Sequence, residues 1–253
     1  MAAKIIIAAH KPYAMPAGAC YLPVQVGAAL ATTSLGFQRD DVGENISARN
    51  PNWCELTALY WAWKNLRCDY LGLAHYRRLF RGKAAGALTD EELAALLARC
   101  PIVLPRKRNY FIESSYSHYA HAHHAADLDE TRLIIAADHP DYLDAFDSVM
   151  RRTSSHRFNM FIMRRDLADD YCAWLFDILF KLERRLDISS YNKYDARVFG
   201  FVSERLLDVW LTARGHKFIE VPLLNLESQH WPRKALNFLL RKFLPKRLHP
   251  AHT

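Results

Sequence analysis

Two arginines, Arg77 and Arg78, follow an apolar run, Tyr70 to Ala74, with only His75 and Tyr76 between. Such a run reads as a buried strand, and the loop leaving a strand end is where α/β domains place their ligands. Arginine keeps its charge at any relevant pH, and its planar fork donates two parallel hydrogen bonds to phosphate oxygens. His75, Tyr76, Arg77 and Arg78 are therefore a candidate clamp for a diphosphate. Without the strand in front of them, a solvated basic turn would explain them equally well. A second aliphatic run, Ile5 to Ala9, ends in the same way at His10 and Lys11, ahead of a loop with two prolines that runs to Pro16.

The acidic candidates are more dispersed. In DDVGENIS, Gly43 permits a tight turn, and Asp40, Asp41, Glu44 and Asn45 could reach ribose or acceptor hydroxyls, or a metal; an ordinary acidic turn fits the same letters. Glu55 falls in the first turns of an expected helix, where a carboxylate is favoured for helix stability alone. Asp195, Arg197, Glu204 and Arg205 suggest more, because seven residues place Arg197 and Glu204 on one helical face. Glu204 is the first candidate for a general base and Asp195 the second, with a surface ion pair as the competing explanation. Asn159, in HRFNMFIM, could aim its amide at a sugar hydroxyl or merely cap a strand. His118, His121, His123 and His124 form a cluster by count, but no neighbouring carboxylate or cysteine completes a metal set, so they are expected in solvent.

The elements that must hold these residues alternate. After the first strand, Asn50 and Pro51 open a helix whose Leu56, Leu59, Tyr60 and Trp63 share one face, ending near Asn65. Thr89 and Glu92 form a capping-box pattern for a helix closed by Pro101, before a strand at Ile102 to Leu104. Residues 105 to 130 have weak periodicity and are expected as a long surface loop. A helix over Tyr142 to Met150, a strand over Asn159 to Met163, helices over Leu167 to Leu182 and Arg197 to Ala213, and a strand at Phe218 to Val221 follow. The expected fold is α/β: a mostly parallel, Rossmann-like sheet covered on both faces.

A chain of 253 residues, 51% hydrophobic and 24% charged, is long enough for one such domain, assigned to residues 1–225, with a basic tail over 226–253. Five widely spaced cysteines without a paired motif fit a reduced, cytoplasmic compartment, and the first apolar run is too short for a secretion signal or a membrane span. The net charge of +7 favours an anionic partner: a nucleotide diphosphate, an anionic lipid surface or a nucleic acid. Nucleic acid is set aside because no recognised binding motif accompanies the aromatic and basic stretch KRNYF.

Several ordered segments together resemble a family of capsular-polysaccharide galactofuranosyltransferases, once grouped as a domain of unknown function. They are AAHKPY, YLPVQVGAAL, DDVGENISARNPNWCELTALYWAWKN, DYLGLAHYRRLF, HRFNMFIM, WLFDILFKLE and RVFGFVSERLLDVWL, spanning about residues 4 to 211. The resemblance implies a GT-A-like fold, a UDP-sugar donor, UDP-galactofuranose in particular, and inverting transfer to a growing surface glycan, lipid-linked or oligosaccharide. In that frame His10, Lys11, Asp40, Asp41 and Asn45 approach the nucleotide, His75, Tyr76, Arg77, Arg78 and Arg197 hold the diphosphate, and Asn159 and Glu55 meet the acceptor. No Asp-x-Asp follows Ala74, so no metal ligands are assigned; Mg or Mn use stays open. A UDP-hexopyranose donor and a non-catalytic nucleotide-sugar-binding scaffold are the alternatives.

In the tail, Leu236, Leu239, Leu240 and Phe243 oppose Arg233, Lys234, Arg241, Lys242, Lys246 and Arg247. That is the pattern of a basic amphipathic helix, expected on the inner face of the cytoplasmic membrane, or else docked on the domain's own core.

Overall fold

A computed structural model describes residues 2–84 and 86–227; the amphipathic tail expected from Pro232 onward lies outside them. At the centre is β1 (Ala3–Ala9), with Ile5, Ile6 and Ile7 fully buried. It pairs in parallel with β2 (Tyr21–Gln25) on one side and β4 (Tyr70–His75) on the other, and β2 carries the short β3 (Gln38–Arg39). Beyond β4 comes β9 (Phe161–Arg164), antiparallel to it, then β6 (Ile102–Pro105) and β10 (Ile219–Val221), parallel to each other. The order β10-β6-β9-β4-β1-β2-β3 thus has a single reversed strand. A short β5 (Arg78–Phe80) turns back on β4 and is extended by β11 (Leu223–Asn225).

Side chains alternate across this sheet, as the strand period of two requires. Ile6, Ala8, Leu71 and Leu73 enter the larger core, with α1 (Asn50–Trp53), α2 (Leu56–Asn65), α7 (Arg165–Arg185) and α8 (Val198–Arg214). Ile5, Ile7, Ala9 and Ala74 enter the smaller one, with α3 (Asp90–Leu97). Trp53 anchors the larger core: it is fully buried, its ring lies 5.0 Å from those of Phe180 and Phe199, and its Nε1 donates to Glu183 at 2.8 Å.

The mostly parallel, two-faced sheet is as expected, and the capping box is present, with Glu92 N donating to Thr89 Oγ1 at 3.2 Å and Thr89 N to Glu92 Oε2 at 3.1 Å. The helix expected over Asn50 to Asn65 is broken, because Cys54 takes a left-handed φ of 53° and separates α1 from α2. The strand expected from Asn159 begins at Phe161, since Phe158 and Asn159 are both left-handed. Residues 105 to 130 are not a loop. They hold β7 (Arg108–Asn109), α4 (Ser115–Ala122) and the start of α5 (Ala125–Asp138), packed beside α6 (Leu143–Arg151), with β7 paired to β8 (Ser154–Ser155). A Ser at the third helical position of α4 does the capping that Glu or Gln usually does, with Ser114 and Ser117 bonding reciprocally, so the pattern search passes over it.

Gly72 sits where β4 meets both β1 and β9. A Cβ there would stand 3.0 Å from the Phe161 carbonyl and 3.0 Å from Ile162. Gly72→Ala is expected to cost about 1–3 kcal/mol by overpacking, seen as a lower denaturant midpoint at constant m-value. An unchanged midpoint would show that the central strands can part to admit a methyl group.

Candidate functional site

Because β1 and β4 are parallel with Ala8 opposite His75, their carboxyl ends open at the same edge. There β4 turns into β5 through only Tyr76 and Arg77, which pairs His75 with Arg78 across the hairpin. His75 Nε2 lies 2.5 Å from the Phe158 carbonyl. A carbonyl can only accept, so Nε2 carries the proton. The same nitrogen is 3.9 Å from Glu55.

Cations gather here on aromatic rings. Arg77 lies 5.2 Å and Lys11 5.5 Å from the Tyr76 ring, and His10 meets it edge-on at 5.1 Å. Burial lowers the pKa of His10, reinforced by Arg77, Lys11 and Arg197, which favours a neutral imidazole beside the cations. Arg78 stacks 4.1 Å over Phe158, and Arg157 is 4.6 Å from the same ring. Burial, then the charges of Arg77 and Arg157, lower the pKa of Arg78 without approaching neutrality at physiological pH. Among the described residues, the buried Nε atoms of Arg77 and Arg78 have no hydrogen-bond partner. A buried donor left unmade costs about 1–3 kcal/mol, a penalty that an anion in the cleft would relieve. One carboxylate of the chain is already attracted: Glu227 is 3.5 Å from Arg77 and 3.9 Å from Lys11, partly exposed.

The floor comes from α8 and the break before α2. Arg197 Nε donates to Cys54 Sγ at 3.1 Å. Burial, helped by Glu55 and Glu204 and opposed by Arg197, pushes the Cys54 thiol up to about 11, so it stays protonated. Glu204 accepts from Arg205 at 3.1 Å and retains partial access to solvent, and its charge also acts on Arg78. Arg197 and Glu204, on one helical face by their spacing, therefore both border the cleft.

Other sequence candidates have structural tasks. Asp40 is fully buried and unavailable to a ligand: it accepts from Gly27 N at 2.9 Å, Ala28 N at 3.0 Å and the Ser47 hydroxyl. Asp41 is held by the fork of Arg39, and Asn45 bonds back to Asp41 O, Gly43 O and Ser47 N, shaping its own loop. The Asn159 amide does not point at a sugar. Nδ2 donates to Glu55 at 2.6 Å and to Gly200 O at 3.1 Å, while Oδ1 accepts from Ser203 at 2.7 Å. It locks Glu55 to α8 instead. Both oxygens of Asp195 are engaged, by His123 at 3.2 Å and Asn192 at 2.6 Å, with His124 at 3.6 Å. That weakens Asp195 as a base relative to Glu204. Of the histidine cluster only His121 is exposed, bonded to Glu113 at 2.7 Å; His123 is 6% exposed, and His124 stacks on Tyr191 at 4.0 Å. Among the described residues no three His, Cys, Asp or Glu side chains converge as a metal set.

Sequence reasoning missed Arg157, Phe158, Cys54 and Glu227. Arg157 and Phe158 stood inside the quoted HRFNMFIM, and two left-handed residues in succession, the feature that swings them into the cleft, leave no mark without glycine.

Residues 4–215 match a family described as a domain of unknown function, DUF4422. The chain belongs to this family. No curated protein matches. Among solved structures the chain is similar to the apo form of WbbM, a bifunctional glycosyltransferase, with a TM-score of 0.85 and 30% identity over 90% of this chain. The chain spans 46% of that protein's length. The fold is accordingly GT-A-like, as the family resemblance implied.

Since Glu227 competes for the cations that an anionic ligand would use, Glu227→Gln should tighten binding of a nucleoside diphosphate probe by a few-fold, the size expected of a partly exposed pair. Calorimetric titration would read this; weaker binding would mean that Glu227 shapes the cleft rather than shielding it.

Proposed function

We propose that the chain is a glycosyltransferase of surface-glycan synthesis that moves a sugar, galactofuranose by the family resemblance, from a UDP donor to an acceptor hydroxyl. The observation that carries this reading is the pair of arginines at the end of the parallel strands, whose buried Nε atoms lack partners, on a chain that folds like a glycosyltransferase.

In this reading Arg77 and Arg78 take the diphosphate and offset the negative charge that grows on the departing UDP, with His10, Lys11 and Arg197 alongside. Preorganised donors aimed at such developing charge are worth about 10²–10³ in rate apiece. Glu204 takes the proton from the attacking hydroxyl. His75 and Asn159 position Glu55 at the cleft, where its remaining oxygen is free to meet acceptor or sugar hydroxyls. A divalent cation, Mg or Mn, would supply further neutralisation of the diphosphate if bound, and EDTA addition decides whether it is needed. The acceptor is a lipid-linked or free oligosaccharide. No described helix is long and apolar enough to cross a membrane, and attachment to the inner membrane face through the C-terminal tail is part of the proposal.

Arg77→Ala should weaken UDP binding by roughly one to two orders of magnitude, the worth of a charge-assisted hydrogen bond. Glu204→Gln should keep UDP binding and lower turnover by about 10²-fold or more. The assay is UDP release with UDP-galactofuranose or UDP-galactopyranose and a galactose-terminated acceptor. Turnover with the pyranose alone would replace the proposed donor, unchanged turnover in Glu204→Gln would remove that residue from the site, and no UDP binding at all would end the glycosyltransferase reading.

A further inference from the structure

A second group of cations lies beyond the Arg77–Arg78 clamp. The antiparallel pairing of β7 with β8 sets Arg108 opposite Ser155, two residues before Arg157. The loop after β7 is tied to the same strand, because Tyr110 N donates to Thr153 O at 2.7 Å and the Tyr110 and Ser155 hydroxyls bond. On Tyr110 stacks His118, ring centroids 4.2 Å apart, and over the next residue, Tyr119, lies the guanidinium of Arg205 at 5.1 Å. Burial, then the charges of Arg205, Arg157 and Arg108, hold the His118 pKa down at about 3, so this ring is neutral.

Nothing described balances this gathering of charge. Glu204 is the one carboxylate bonded to Arg205, whose side chain is 5% exposed, and Arg108 and Arg157 form no ion pair among the described residues. Among the described residues, the buried Arg205 Nε and His118 Nδ1 lack hydrogen-bond partners. Unpaired like charges and unmade buried bonds are each destabilising, and one anion would satisfy both. Arg157 shares the Phe158 ring with Arg78, so the two cation groups adjoin across a single phenyl ring.

We propose that Arg108, Arg157, Arg205 and His118 form a second anion subsite, separate from the donor clamp, that holds a phosphate or diphosphate of the acceptor. The assignment rests on the glycosyl-transfer reading. With the donor diphosphate on Arg78 and the acceptor phosphate on Arg157, an acceptor sugar spans the space between, bordered by Glu204, which neighbours Arg205 in the helix. The turn that follows Arg108 indicates what carries the phosphate. Phe111, at a left-handed φ of 60°, and Ile112 are 79% and 69% exposed, with Phe111 N fixed by Asn109 Oδ1 at 2.6 Å. An apolar pair held outward beside arginines suits a lipid chain leaving a diphosphate.

The test titrates UDP-saturated protein with inorganic pyrophosphate and with decyl diphosphate below its micelle concentration. Both should bind. Arg108→Ala should lose about tenfold or more in that affinity while the UDP Kd moves less than about twofold. Absence of binding to the UDP-saturated protein, or an equal loss of UDP affinity in Arg108→Ala, would overturn the subsite. Tighter binding of the decyl compound, abolished in a Phe111→Ser, Ile112→Ser double variant, would assign a lipid carrier; equal binding of the two probes would keep the subsite and assign a phosphorylated sugar. Should wild-type protein fail to bind UDP, the donor reading falls, and pyrophosphate binding without UDP, compared between wild type and Arg108→Ala, still decides the subsite.

Discussion

The parallel pairing of β1 with β4 is the contact on which the rest of the molecule depends. Parallel strands present their carboxyl ends at one edge, and the register that puts Ala8 beside His75 brings the loop after Ala9 against the hairpin after His75. Each strand leaves its aliphatic run straight into cations. The sheet interior, where Ile5, Ile6 and Ile7 are wholly withdrawn from water, therefore ends abruptly in a strongly positive rim. Only Gly72 lets β4 lie close enough to β9 for the Phe158 loop to close over that rim.

Aromatic rings make the rim tolerable. Tyr76 and Phe158 each receive two cations on or near their π-systems. A ring quadrupole offsets part of the repulsion without neutralising the charge as a carboxylate would. Asn159 performs the complementary service for the acidic side, holding Glu55 to α8 by three hydrogen bonds so that His75 can approach it. Cations and carboxylates thus meet at one edge of the sheet, the cations held on rings and Glu55 held by Asn159.

The fold was largely legible because its elements obey the two periodicities that a sequence displays directly. Ile5 to Ala9 and Tyr70 to Ala74 are uninterrupted apolar runs, and the helices now known as α7 and α8 keep one apolar face throughout. β2 was passed over because Pro23 interrupts it, and α4 because its buried face is only Ser115 and Tyr119 and serines supply its cap. The cationic half of the site could be read from its position after a strand. The acidic half was legible only in part: Glu55 and Glu204 border the cleft, whereas Asp40, Asp41 and Asn45 have the letters of ligands, but whether a carboxylate faces a cleft or its own backbone is decided by loop conformation. Arg157 entered the cleft through two left-handed residues at Phe158 and Asn159, which a sequence does not announce.

The single reversed strand has a further consequence. Since β6 runs with β4 and β9 against it, the excursion between them, residues 106–160, both leaves and rejoins the sheet at the ligand edge. Its helices α4, α5 and α6 pack on α7 and α8, and no strand of the central sheet is interrupted by their presence. The pairing of β1 with β4 and of β4 with β5, which fixes Arg77 and Arg78, is made without any residue of this segment. The architecture separates two tasks: one edge of the sheet fixes Arg77 and Arg78 in register, and the segment beside it delivers Arg157 and Phe158 to the same cleft.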